Sequence, residues 1–213
     1  MAIPIGEDPN FASAHIFWSS KDDVDQAPVF FYRPRSIEDI VTKTKFSKRE
    51  IQLIYRSFKQ LCPSGIIHKD TFREIYSQFF PHGNCSSYSS MIFKTLDRDF
   101  NNSINFEDFI VCLSIITRGS NTEKLDWIFT LYDVRNRGFI GEAELMLITE
   151  SIYSLLSRQM HGHTSIDEIK RHSQEVFKKL ANNGQVAISR EQFIDTCLKN
   201  PDLCSFSQFD TKL

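Results

Sequence analysis

Between positions 97 and 108 the chain reads DRDFNNSINFED, and oxygen-bearing residues recur at almost every second position. Asp97, Asp99, Asn101, the Ser103 carbonyl, Asn105 and Asp108 occupy positions 1, 3, 5, 7, 9 and 12 of a short loop. That is the spacing at which one loop wraps six or more oxygens around a hard divalent cation. Two substitutions modify the set. Position 6 is Asn102 rather than Gly, and Asn tolerates the left-handed turn needed there. Position 12 is Asp108 rather than Glu. Being one methylene shorter, it reaches an ion with one oxygen, which lowers the ligand count and shifts preference from calcium toward six-coordinate magnesium. The alternative reading is a polar loop closed by its own hydrogen bonds.

Three other stretches share this outline and lack the donors. The first offers Gln60, Cys62, Ser64, His68 and Thr71, with Pro63 inserted and no carboxylate. The last offers Ala181, Asn183, Gln185, Ser189 and Gln192, again without a carboxylate and with Val186 at the turn position. The third, YDVRNRGFIGEAEL, keeps Asp133, Gly138, Ile140 and Glu144 but places Arg135 and Arg137 at positions 3 and 5. A guanidinium about 5 Å from a divalent ion would repel it by roughly 7 kcal/mol at an effective dielectric near 20, an upper figure because the side chain can swing into water. This loop is expected to bind no metal. Arg135 or Arg137 is expected to pair with Asp133 and Glu144 and stand in for the ion's positive charge.

The elements that hold these loops follow a repeat. Ser47 with Glu50, Ser120 with Glu123 and Ser165 with Glu168 have capping-box spacing, each opening a run of apolar residues at helical period. Every loop carries isoleucine at its eighth position (Ile67, Ile104, Ile140, Ile188) and Phe or Leu five residues later (Phe72, Phe109, Leu145, Phe193). Helix, loop and helix repeated four times, with a residue poised to pair across loops, predict an all-α fold of four EF-hand units in two pairs. RGSN at 118–121 reads as the hinge between halves. The organisation expected is a variable N-terminal tail at 1–44, an N-terminal pair at 45–117, a C-terminal pair at 118–200 and a C-terminal tail at 201–213. Within the first tail, HIFW at 15–18 and VFFY at 29–32 read either as loosely docked apolar patches or as a segment that fills a hydrophobic groove.

Composition narrows the function. The net charge of -2 in 213 residues gives no global field for nucleic acid or an acidic membrane. Nineteen phenylalanines must be packed inside or kept for a partner. Five widely spaced cysteines without a CxxC pair argue against a zinc site or a disulfide framework, and favour a reducing, cytoplasmic setting. No apolar run is long enough to span a bilayer, and Met-Ala at the start lacks the N-myristoylation signal. His161, His163 and His172 are read as loop and helix-face residues, and no nucleophile–base set or phosphate loop indicates an enzyme.

The sequence from YRPRSIEDIVTKTKFSKREIQLIY through the CPSG element at 62–65 to INFEDFIVCLSIITRGS resembles the neuronal calcium sensors, most closely their potassium channel-interacting branch. The similarity runs over residues 32 to 200 and is weakest in the fourth hand. It implies a recoverin-like fold and a hydrophobic groove across the N-terminal half. The matching groove positions are Ile54, Phe58, Phe72, Ile75, Tyr76, Phe79, Phe106, Phe109 and Leu113. It further implies an auxiliary subunit that takes an apolar cytosolic N-terminal segment of an A-type voltage-gated potassium channel, and so reaches the plasma membrane through its partner. The branch binds calcium mainly at its third and fourth hands, the two lost here. Only the second hand is therefore expected to hold calcium or magnesium. Two alternatives stand beside this reading: a calcium-independent EF-hand adaptor for another amphipathic helix, and a calsenilin-like DNA-binding transcriptional repressor. The one basic stretch, KTKFSKR at 43–49, reads as a solvated helix start, which argues against nucleic acid.

Overall fold

The computed structural model describes Pro34, residues 36–81, 83–156, 165–181, 184–200 and Leu203. Among them the fold is all-α, with four helix–loop–helix units in two pairs. The N-terminal pair comprises α1 (Ile37–Lys43), α2 (Lys48–Leu61), β1 (Ile66–His68), α3 (Lys69–Phe79), α4 (Ser86–Leu96), β2 (Ser103–Asn105) and α5 (Phe106–Arg118). The C-terminal pair comprises α6 (Asn121–Tyr132), β3 (Phe139–Gly141), α7 (Glu142–Leu156), α8 (Ile166–Leu180), β4 (Ala187–Ser189) and α9 (Arg190–Lys199).

The eighth-position isoleucines do what their spacing predicts. β1 pairs antiparallel with β2, placing Ile67 opposite Ile104, and β3 pairs with β4, placing Ile140 opposite Ile188. All four side chains are buried. The helices start where the sequence supplies donors' partners: the boxes Ser47–Glu50, Ser120–Glu123 and Ser165–Glu168 each form in both directions. A fourth box, Asn105–Asp108, opens α5 from within the second loop.

The segment assigned to the N-terminal tail contains α1. Ser36 caps it by accepting from the Asp39 amide, and Ile40 is buried against α2 and α5. Seven residues make too short a helix to persist by propensity, so it holds through this packing. The patches at 15–18 and 29–32 lie outside the described residues, as do His161 and His163. Cys62, Cys85 and Cys112 are free thiols, whereas Cys197 is disulfide-bonded, which departs from the expectation of reduced cysteines throughout. No helix among the described residues is long and apolar enough to cross a membrane.

The halves meet where α4 packs on α6 and α7, and α5 on α6. The turn before α4 is fixed to the end of α7: the Asn84 amide donates to the Ser154 carbonyl at 2.9 Å. Gly83 lies so close that a Cβ there would sit 1.8 Å from the Leu155 carbonyl oxygen. Any side chain would push the two halves apart at this turn.

A second fastening lies at the hinge. Arg118 bridges Glu50 through Nη2 at 2.5 Å and Nη1 at 3.2 Å, donates to the Lys45 carbonyl at 2.8 Å, and stacks its Cζ 4.5 Å over the Phe46 ring. Lys45 pairs with Glu123 at 2.5 Å, so the α1–α2 link is tied to both sides of the hinge. Arg118 holds the Glu50 carboxyl down to about 2, and Lys45 holds that of Glu123 down to about 2. A depressed carboxylate stabilises the fold above its unfolded pKa and loses that contribution as pH falls through the folded value. The melting temperature is therefore expected to fall steadily as pH is lowered from about 4.5 to about 2. Arg118→Gln should flatten this dependence, which a series of thermal melts in that window would measure.

Candidate functional site

Two features carry the sequence expectations: the apolar face of the N-terminal pair and the interiors of the four loops. In the C-terminal pair the thirteenth-position residues Leu145 and Phe193 are 2% and 1% exposed. Their counterparts Phe72 and Phe109 are only half-buried. The same contrast runs through the packing, because α6 lies closely against α9 whereas α2 packs less against α5. α3 has no buried residue at all.

The nine expected groove residues divide on this basis. Phe79 is 62% exposed. Ile54, Phe72, Ile75, Tyr76, Phe109 and Leu113 are half-buried and packed against the core. Phe58 and Phe106 belong to the core itself, at 4% and 1% exposure, where Phe58 meets the Phe106 ring edge-on at 5.3 Å. Helical period identifies the apolar face, and the crossing of α2 over α5 decides which part of it is covered. Leu61, 46% exposed, extends the α2 face beyond Phe58 at i+3 spacing and belongs with the accessible set. From α3 the Tyr76 ring stacks on Phe72 at 5.8 Å and on Phe80 at 5.2 Å, giving a continuous aromatic ribbon from Phe72 to Phe80.

The second and third loops share one scaffold. Asp97 accepts from the Asn101 amide at 3.0 Å and the Asn102 amide at 2.9 Å; Asp133 accepts from the Arg137 amide at 2.8 Å and the Gly138 amide at 2.6 Å. Position 12 returns to the position-9 amide in both: Asn105 to Asp108 at 3.5 Å, Gly141 to Glu144 at 3.1 Å. The sixth residues Asn102 and Gly138 take left-handed φ values of 58° and 78°.

The two interiors differ in charge. In the third loop Arg137 Nη2 lies 2.5 Å and Arg135 Nη1 3.4 Å from Glu144 Oε1, while Glu144 is 1% exposed. The expected stand-in is Arg137, whose Cζ also rests 4.3 Å over the Phe139 ring. Asp133 takes backbone amides and, among the described residues, forms no ion pair, so the pairing reaches one of the two carboxylates. Gly141 makes room: a Cβ there would sit 2.8 Å from Glu144 Oε2.

In the second loop Asp97, Asp99 and Asp108 form no ion pair among the described residues. Burial pushes the Asp108 carboxyl up, opposed by the Asn105 amide and the Arg98 charge and reinforced by the charges of Asp99 and Asp97. The donor chemistry fits a divalent cation, yet the side chains are not gathered. Asn101 Oδ1 accepts from the Ser103 amide and hydroxyl, Asn105 and Asp108 are engaged in the α5 cap, and no three His, Cys, Asp or Glu among the described residues converge on one point.

The first and fourth loops close by other means. Lys59 Nζ donates to the Pro63 carbonyl, and Gly65 makes the turn at φ 83°. In the fourth loop Gln192 Nε2 reaches back to the Leu180 carbonyl at 3.0 Å, and Gly184 rather than Val186 takes the left-handed turn at φ 82°. Asn183 lies outside the described residues.

Two bridged pairs of helix–loop–helix units define an EF-hand fold. Residues 63–116 match a family model described as an EF-hand domain pair. The match falls on the N-terminal half, which holds both the accessible apolar face and the carboxylate-bearing loop.

Removing one partner of a buried carboxylate leaves its charge uncompensated, at a cost of about 1–3 kcal/mol for a partner that is itself partly solvated. Arg137→Ala is accordingly expected to lower the melting temperature more than Arg135→Ala. Adding Glu144→Gln to Arg137→Ala should recover part of the loss, and a double-mutant cycle from thermal melts would show it.

Proposed function

We propose that this chain is a non-enzymatic EF-hand adaptor that captures an apolar or amphipathic helical segment of a partner protein on the face formed by α2, α3 and α5. The asymmetry between the halves carries this reading. The C-terminal pair buries its thirteenth-position residues, and the N-terminal pair leaves Phe72 and Phe109 half-covered, with Phe79 and Leu61 in the open beside them. Helix-in-groove recognition uses such a face. The resemblance to channel-interacting calcium sensors makes the cytosolic N-terminal segment of an A-type potassium channel the first partner to try. Pull-down of that segment should succeed with the wild-type chain and weaken by about tenfold or more with Phe79→Ser, since burying a phenylalanine contributes about 1.5–3 kcal/mol. Phe79 is exposed, so its replacement leaves the fold intact. Failure of the wild-type chain to bind would overturn the channel reading, while capture of another amphipathic helix would leave the adaptor reading in place.

The basic stretch at 43–49 offers little to DNA, because of its four cations Lys45 pairs with Glu123 and Lys48 with Glu38, which leaves Lys43 and Arg49. Two cations are few for a repressor, whose affinity comes from many phosphate contacts.

Any metal response is assigned to the second hand. Asp97, Asp99, Asn101, the Ser103 carbonyl, Asn105 and Asp108 would hold a calcium or magnesium ion, which would supply the positive charge that Arg137 supplies in the third loop. Isothermal titration is expected to give one saturable site that disappears in Asp97→Ala. Two sites, or a site that survives the substitution, would contradict the assignment, and absence of heat with either metal would make the adaptor independent of metal.

A further inference from the structure

The last helix carries a covalent bond that neither loop closure nor helix packing requires. Cys197, near the end of α9, is disulfide-bonded and 2% exposed. The chain has five cysteines, and Cys62, Cys85 and Cys112 are free thiols buried in the N-terminal pair. A bond within one chain leaves Cys204 as the partner.

The backbone leads toward that pairing. α9 stops at Asn200, whose amide still donates to the Thr196 carbonyl at 3.0 Å. The Leu203 amide then donates to the Asn200 carbonyl, also at 3.0 Å, a turn that folds the chain back. Leu203 is half-buried and packed against the core to which Cys197 belongs. A disulfide needs Cα atoms about 4.4–6.8 Å apart, and residue 204 follows directly on a residue already seated there.

The placement suits a reversible bond. The C-terminal pair is closed without it, since Ile140, Ile148 and Ile188 are 0% exposed and Phe193 1%. The ring runs only from residue 197 to residue 204, beyond the last loop, so it constrains the chain end and leaves the four hands as they are. Unpaired thiols elsewhere in the chain are the cysteine usage of a reducing compartment, where a disulfide serves exchange rather than a framework.

We infer that Cys197 and Cys204 form a thiol–disulfide clasp. Closed, it fastens the segment after α9 to the C-terminal pair. Open, it leaves that hold, among the described residues, to Leu203 and the Asn200 turn, and releases the stretch that carries Phe206 and Phe209. The co-reactant is a low-molecular-weight disulfide such as oxidised glutathione. Cys197 is buried, so the Cys204 thiolate attacks first, forming a mixed disulfide and releasing one glutathione thiolate. The Cys197 thiolate then attacks the Cys204 sulfur and expels the second. The chain gives up two protons and two electrons, and two molecules of reduced glutathione carry them away. Excess reduced glutathione reverses both steps. The clasp lies in the C-terminal pair and is independent of the partner-capture reading, which concerns the N-terminal one.

The full-length chain is equilibrated natively in oxidised or in excess reduced glutathione, then denatured, alkylated and digested with trypsin without reductant. Peptides 191–199 and 200–212 carry Cys197 and Cys204 separately. They are expected as one linked pair after the oxidised treatment and as two alkylated peptides after the reduced one. Thermal melts should show the oxidised chain higher by roughly 4–8 °C. Cys204→Ser should melt at one temperature under both treatments, that of the reduced wild type. The inference is overturned if peptide 191–199 is alkylated in the oxidised chain, or is linked to a peptide carrying Cys62, Cys85 or Cys112 or to a second chain. It is overturned as well if the bond survives excess reduced glutathione on the native chain, which would make it a fixed staple, or if the two states melt alike.

Discussion

The antiparallel bridge at the eighth residue of each loop is the constraint from which the rest follows. Ile67 against Ile104 and Ile140 against Ile188 fix the distance and direction between paired loops. Once that bridge is made, the exit helix must start within a residue, and its first apolar residue must face the pair's core. The loop in between has little freedom left. It must bring its first and twelfth positions round the same turn, whether or not a metal is there to draw them together.

Four loops meet this demand with different interiors. A divalent ion ordinarily supplies the positive charge that allows carboxylates to face one another. The third loop supplies it covalently, through Arg137 on a carboxylate that is 1% exposed. A guanidinium cannot dissociate, so the state it supports does not depend on ion concentration. The fourth loop dispenses with charge and uses an amide-to-carbonyl bond from Gln192. The first relies on a glycine turn and a lysine reaching a carbonyl. The second keeps three carboxylates that form no ion pair among the described residues. Burial raises its Asp108 carboxyl, with the charges of Asp99 and Asp97 adding to the shift and the Asn105 amide and the Arg98 charge opposing it.

Features set by a few neighbouring residues were legible in the sequence. Capping boxes depend on residues three apart, and the bridging isoleucines on a fixed offset within one loop, so both could be placed before any tertiary contact was known. The exchange of metal for arginine was legible as charge arithmetic at ligand positions. Which arginine would reach Glu144 was not, because it depends on Gly141 leaving space and on Phe139 providing a ring beneath Arg137. Helix α1 was missed because seven residues carry little periodic signal and its stability comes from burial of Ile40. Phe58 and Phe106 share a periodic face with Ile54 and Phe109, and periodicity cannot tell a covered face from an open one. That distinction is made by the crossing of α2 and α5.

The asymmetry between the halves has a consistent physical logic. Closing an EF-hand pair buries its thirteenth-position residues, and at about 25 cal/mol per Å² of apolar surface this stabilises the closed arrangement appreciably. The C-terminal pair takes this course, with Leu145 and Phe193 in the core and its loops closed by internal bonds. It then serves as a base to which α4 is fastened through Gly83, Asn84 and its own packing on α6 and α7. The N-terminal pair keeps part of its apolar surface open, which a small isolated domain would hold at the expense of stability. Here that expense is offset by the rigid neighbour and by the hinge, where Arg118 and Lys45 clamp the α1–α2 link. On the adaptor reading proposed above, an open face on so firmly held a scaffold would be presented to a partner without a calcium-driven opening step.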